Sequence, residues 1–167
     1  TTEQRAVRNA VILGGGTAHD AYKAALAGWV TDGSIAATTD LDGFKHIDDL
    51  IKWCSEFGLW ISLDMHAAPG SQGVTLGITD GFYPNNLWDF PVFQDVLVEI
   101  WDAISDRYRD ESRIAMYEFI NEPNSVPGGG PAIRNLTQRL ITMVRNKGDQ
   151  HLIGVHGNGY SNVYNSM

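Results

Sequence analysis

Residues 41–66 read LDGFKHIDDLIKWCSEFGLWISLDMH, and the change of rhythm inside this stretch decides the fold class. Leu41, Phe44, Ile47, Leu50, Ile51 and Cys54 recur at steps of three or four, which is the stripe of a helix. Asp40 is suited to cap its start and Gly58 to stop it. LWISLDMH then runs as a short apolar segment ending in polar residues, the pattern of a strand buried in a parallel sheet.

The alternation repeats downstream. Pro91–Tyr108 reads as a helix carried by Val92, Val96, Ile100 and Ile104, and RIAMYEFINEP at 113–123 is a second strand with a polar end. Residues 131–147 form a further helix, and HLIGVHGNGY at 151–160 a further strand. Helices alternating with strands indicate βα units around a parallel sheet. Each polar cluster falls at the carboxyl end of its strand, where open α/β sheets and (β/α)8 barrels place their chemistry. Residues 67–90, rich in Gly, Pro, Asn and Asp, form a loop longer than most and therefore of functional interest.

The first forty residues are less regular. AVIL before GGG could be a strand, and AHDAYKAALAGWV a helix. The glycine run lacks both the GxGxxG and the Lys-Ser/Thr that phosphate binding needs, so it reads as a turn.

Composition narrows the function. The chain has 167 residues, a length that fits one domain (1–167), with 43% hydrophobic and 19% charged residues. Its formal charge is -8, and without a Lys/Arg cluster it lacks the phosphate-neutralising term that nucleic acids and anionic membranes require. No apolar run reaches a membrane span, and TTEQRAVRNA has no signal-peptide core, although a mature secreted chain would look the same. The single cysteine, Cys54, leaves no internal disulfide and reads as a packed thiol. Five histidines show no metal-ligand spacing, and the absence of GxSxG argues against a serine hydrolase elbow. No cofactor is expected.

Glu122 is the leading candidate for chemistry. It closes a strand between Asn121 and Pro123, and the proline is expected to hold it extended. A carboxyl held in this way can act as a general acid; the alternative is a solvated turn. Asn121 offers a donor and an acceptor to a sugar hydroxyl. By period-two alternation Trp60, Ser62, Asp64 and His66 share one face, and Met116, Glu118, Ile120 and Glu122 another, so that His66 and Glu122 converge on one rim. Asp64 and Glu118 are expected to hold neighbours by hydrogen bonds rather than to attack substrate. His156, Asn158 and Tyr160 crown the last strand, and Phe82, Tyr83 and Trp88 in the long loop could stack on sugar rings or simply pack.

With these motifs in place the chain resembles glycoside hydrolase family 5, the cellulase-type retaining (β/α)8 enzymes. The resemblance lies in LDMHAAPGSQ (63–72), YEFINEPN (117–124) and HLIGVHGNGY (151–160), within about residues 41–165. It implies Glu122 as acid/base, Asn121 as its hydrogen-bonding neighbour in the glycone subsite and His66 as the active-site histidine; His156, Tyr160 and Trp88 are the substrate contacts expected from their places at the last strand end and in the long loop. It also implies hydrolysis of a β-1,4-glucan or mannan without a metal, and an extracellular location. A noncatalytic glycan-binding or scaffold protein is the alternative.

The chain also departs from the family. A full barrel takes about 250 residues, whereas this sequence is expected to cover roughly the first five βα units. The family's nucleophile, a glutamate on the seventh strand, has no counterpart in it. The early-strand arginine is not recognisable at Arg5 or Arg8, and the first forty residues do not read as the family's first two strands. The expectation is a partial (β/α)8 barrel, either part of a longer polypeptide or completed by homo-oligomerisation, because bare parallel edges are normally covered.

Overall fold

A computed structural model of the chain describes residues 42–75 and 85–160. Two compact units divide the chain, Thr1–Leu59 and Trp60–Met167. In the first, the described part is helix α1, Asp42–Phe57. It ends where Gly58 takes a left-handed φ of 68°, as its sequence position suggests. Cys54 is a half-buried free thiol. Asp40, the expected cap, and the segment containing GGG lie outside the described residues.

In the second unit the order is β1 (Ile61–Asp64), α2 (Asn86–Asp89), α3 (Pro91–Tyr108), β2 (Ile114–Glu118), α4 (Gly129–Asn146) and β3 (Leu152–Gly154). The three strands form a parallel sheet in the order β1-β2-β3. Asp64 pairs with Glu118, and Glu118 with Gly154, so the three strand ends lie level. Parallel neighbours need a crossover, and α3 and α4 provide it.

Phe93, Leu97, Trp101, Ile104 and Tyr108 are the buried apolar residues of α3. That face lies one residue on from the Val92, Val96 and Ile100 of the sequence stripe, which are half-buried. The correction follows from size: an aromatic removes more apolar area from water than a valine, so Phe93 and Trp101 turn inward. Trp101 packs on Tyr117 (centroids 5.2 Å) and Phe119 (5.0 Å), and its indole N–H donates to the Phe119 carbonyl at 3.2 Å. Ile133, Leu136, Leu140 and Val144 form the buried apolar face of α4. Arg139 of α4 pairs with Asp95 of α3, and Lys147 with Asp102 and Asp106. No described helix is long and apolar enough to cross a membrane.

Candidate active site

Because the strand ends are level, the segments that leave them meet. The Met65 amide donates to the Glu118 carbonyl (3.0 Å), and the Asn121 amide to the Met65 carbonyl (3.1 Å). The ladder thus continues past β1 and β2 and brings Asn121 beside the segment that carries His66. Asn121 is 6% exposed, and its side-chain nitrogen is buried with no protein acceptor.

Gln72 ties the two segments together. It is fully buried; its Oε1 accepts from the Ala68 amide (3.1 Å), while its Nε2 donates to the carbonyls of His66 (2.8 Å) and Asn121 (3.0 Å). Asn124 does the same one step further out: its Oδ1 accepts from the Val74 amide (3.0 Å). Gly73 permits this approach, since a Cβ there would collide with the Asn124 side-chain nitrogen. Asn85 donates to the carbonyls of Asn124 and Ser125. The sequence reading gives Gln72, Asn124 and Asn85 no role, although the first two stand inside its motifs. Their signal is a side-chain amide set among Gly and Pro, where loop backbone needs partners.

On the strands themselves, Ser62 Oγ donates to Glu118 Oε1 (2.8 Å), and Glu118 Oε2 meets His156 Nε2 (2.8 Å). Gly154 makes room, because a Cβ on it would stand 2.8 Å from Glu118 Cγ. Asp64 Oδ2 faces His66 Nδ1 at 3.2 Å. Burial pushes the Asp64 carboxyl up and the Glu118 charge adds to this, against the His66 hydrogen bond. Both carboxylates are therefore engaged with neighbours.

Glu122 is half-buried, and its backbone has φ 42°, in the left-handed region. The extended conformation expected from Pro123 is not adopted. A following proline disfavours the right-handed helical well, and side-chain hydrogen bonds hold the backbone in place of a strand ladder. The Glu122 amide donates to His156 Nδ1 (2.8 Å), and its carbonyl accepts from Asn124 Nδ2 (3.4 Å). The face running Met116, Glu118, Ile120, Glu122 is corrected too: β2 ends at Glu118, and Ile120 is buried while Glu122 is not.

The remaining candidates lie at the same end of the sheet. His66 is the most open, its side chain 62% exposed. Trp88, on α2, is half-buried and anchored by its indole N–H to the Gln72 carbonyl (3.1 Å). Tyr160 is exposed, with its hydroxyl 2.6 Å from Thr75 Oγ1 and its amide donating to the Pro123 carbonyl. Asn158 Oδ1 accepts from the Val126 and Gly159 amides, so it serves the loop. Phe82 and Tyr83 lie outside the described residues. Among the described residues no group of three His, Cys, Asp or Glu is disposed to hold a metal ion.

A depression of about 280 Å³ opens beside Arg109, Glu111, Ile114 and His151, at the amino end of the sheet. Both His151 ring nitrogens are occupied there, by Asp149 Oδ1 (2.6 Å) and the Glu111 carbonyl (3.0 Å), which leaves no ring nitrogen for a substrate.

A parallel sheet with a polar cluster at its carboxyl end agrees with the family comparison. Residues 6–167 match the model of the cellulase family, glycosyl hydrolase family 5. The chain belongs to that family. This family 5 chain is 29% identical over 126 residues to a beta-xylosidase of Phanerodontia chrysosporium, covering 74% of this chain and 25% of that protein. It is 28% identical over 120 residues to endoglucanase C of Acetivibrio thermocellus, covering 72% and 33%. The solved structure of XacCel5A in complex with cellopentaose superposes with a TM-score of 0.55 at 22% identity, over 72% of this chain and 34% of that one. The fold thus corresponds to part of a family 5 barrel. The family 5 chain spans about a quarter to a third of the length of these relatives.

Proposed function

We propose that this family 5 chain takes part in hydrolysing a β-1,4-linked glucan, with Glu122 as the proton donor. The observation that carries the reading is the fixation of Glu122 at a strand end. Its amide is bound by His156 from the segment after β3 and its carbonyl by Asn124 two residues on, beside the buried, unsatisfied Asn121 amide nitrogen. A general acid needs such fixation, because proton transfer depends on hydrogen-bond reach to the leaving oxygen. In this reading His66, Asn121, Trp88 and Tyr160 contact the sugar, and His156 stands behind Glu122. Glucan is preferred because the family description and the endoglucanase relative both point to it; the xylosidase relative makes xylan the first competitor to test.

Glu122→Gln should lower reducing-sugar release from a soluble β-1,4-glucan by about 10²- to 10⁴-fold, with the melting temperature unchanged. Undiminished hydrolysis in that variant would remove the proposal.

The second reading is a glycan binder. It is favoured by the engagement of Asp64 and Glu118, since a retaining mechanism needs a second carboxyl group about 5–5.5 Å from the first. A binder would retain cello-oligosaccharides uncleaved over long incubation. We also propose that residues 1–167 act as one partial barrel domain outside the cell, where a polymeric substrate is found. Its β1 and β3 edges would be covered by a second copy, which light scattering at micromolar concentration would detect as a dimer or larger species. A monodisperse monomer would overturn that part.

A further inference from the structure

The hydrogen bonds of His156 fix its chemical form. The Glu122 amide can only donate, so His156 Nδ1 must present a lone pair to it at 2.8 Å. The ring hydrogen then sits on Nε2, which donates to Glu118 Oε2 at 2.8 Å. Ser62 holds the other Glu118 oxygen, and Gly154 leaves space for the glutamate to lie across β3. The side chains of His156 and Glu118 are 21% and 20% exposed, so the pair is largely shielded from water. The Glu122 amide, His156, Glu118 and Ser62 therefore form one connected set of hydrogen bonds whose donors converge on the Glu118 carboxylate from both sides.

From this geometry we propose that His156 is a positioning residue, not a sugar contact. In its neutral Nε2–H form it clamps the Glu122 amide, and Glu118 selects that form. The proposal deepens the reading of Glu122 as proton donor and rests on it. Protonating His156 puts a hydrogen on Nδ1 facing the Glu122 N–H. Two donors then oppose each other, and the left-handed backbone at Glu122 loses the acceptor that holds its amide. The charged groups facing the imidazole are Glu118 from β2 and Asp64 from β1, the latter paired with His66. Gain of a second ring proton therefore opens the clamp.

The test uses two replacements that each keep one half of the ring's function. In His156→Asn the side-chain oxygen stands where Nδ1 stood and does not titrate; in His156→Gln the amide nitrogen stands where Nε2 stood. The Gln variant should lose on the order of 100-fold in kcat, as expected for a displaced reacting group, and the Asn variant on the order of tenfold or less. The acid limb of the wild-type pH–rate profile should be missing from the Asn variant. Equal losses in the two variants, or an acid limb kept by Asn, would overturn the clamp.

A second measurement does not need activity. In ¹⁵N spectra of the wild-type chain, His156 at neutral pH should show an unprotonated Nδ1. The Glu122 amide resonance should move with the same midpoint as the ring. An Nδ1–H tautomer, or a Glu122 amide that ignores the titration, would refute the clamp. If the wild type hydrolyses no glucan while these resonances behave as described, the catalytic reading fails and the clamp stands.

Discussion

The two ends of the sheet are built from the same strands and differ in almost every other respect. All five non-glycine residues with positive φ among the described ones, Ser71, Asn85, Glu122, Ser125 and Tyr160, lie in the segments that leave the carboxyl ends of β1, β2 and β3. At the amino end the left-handed position between α4 and β3 is a glycine, Gly148. The polar groups around Asp149 there are also closed on themselves. Asp149 is fully buried; it accepts from Ser105 Oγ (2.7 Å) and the His151 amide (3.0 Å), and its carbonyl accepts from Arg145. Left-handed non-glycine backbone and the partnerless Asn85 and Asn121 side-chain atoms collect at one end. At the other the Asp149 cluster is bonded, and among the described residues the one buried side-chain polar atom there without a hydrogen-bond partner is the Tyr117 hydroxyl. That division is the usual one between a working face and a supporting face.

The supporting end should suffer most from the loss of its buried carboxylate. Asp149→Ala removes the acceptor of Ser105 and His151 in a buried place and should cost about 3–5 kcal/mol. Chemical denaturation would measure it, and a loss below about 1 kcal/mol would show that the two ends are not so different. Gly154→Ala is the matching injury near the working end. The new methyl collides with Glu118, so Ser62 and His156 lose their partner, at about 1–3 kcal/mol; denaturation should register that cost, and ¹⁵N spectra should show the His156 ring released.

A milder probe is acid. At Asp149, burial acts to raise the carboxyl, but the hydrogen bonds of Ser105 and of the His151 amide and ring outweigh it and hold it below the usual range. A depressed folded value means that this stabilisation is complete above the unfolded carboxylate pKa of about 3.9. It is lost as pH falls through the folded value. Thermal melts in steps below pH 4 should therefore decline more steeply for the wild type than for Asp149→Asn.

The smallest effect has the opposite sign. The Asp64 carboxyl is pushed up by burial and by Glu118, so ionising it opposes folding above its folded pKa. Asp64→Asn should raise the melting temperature at neutral pH by about 1–2 °C. A fall instead would mean that the His66 contact outweighs the repulsion.

The same division explains what the sequence discloses. The bounds of α3 are legible because Pro91 opens it and an apolar stripe runs through to Tyr108. The strand–helix order is legible from its change of period, and so is the placing of the polar residues at strand ends. The conformation of Glu122 is not, because its determinant, His156, lies 34 positions away and acts through one ring nitrogen. Gln72 is silent for the same reason: it bonds a carbonyl 49 residues on. The inward face of α3 is misjudged by one residue because periodicity ranks apolar positions without weighing side-chain size. Local pattern carries the scaffold, whereas the site is made of contacts between distant segments.

The Gln72 bridge also bears on how the molecule acquires its form. An amide that joins the segment after β1 to the segment after β2 can close only when those strands already lie side by side, and such long-range closures belong to the slow part of folding. During refolding from denaturant, the fluorescence change that reports burial of Trp101 should therefore precede any capacity to bind a glycan. An early collapsed intermediate would have a helical signal and no working cleft.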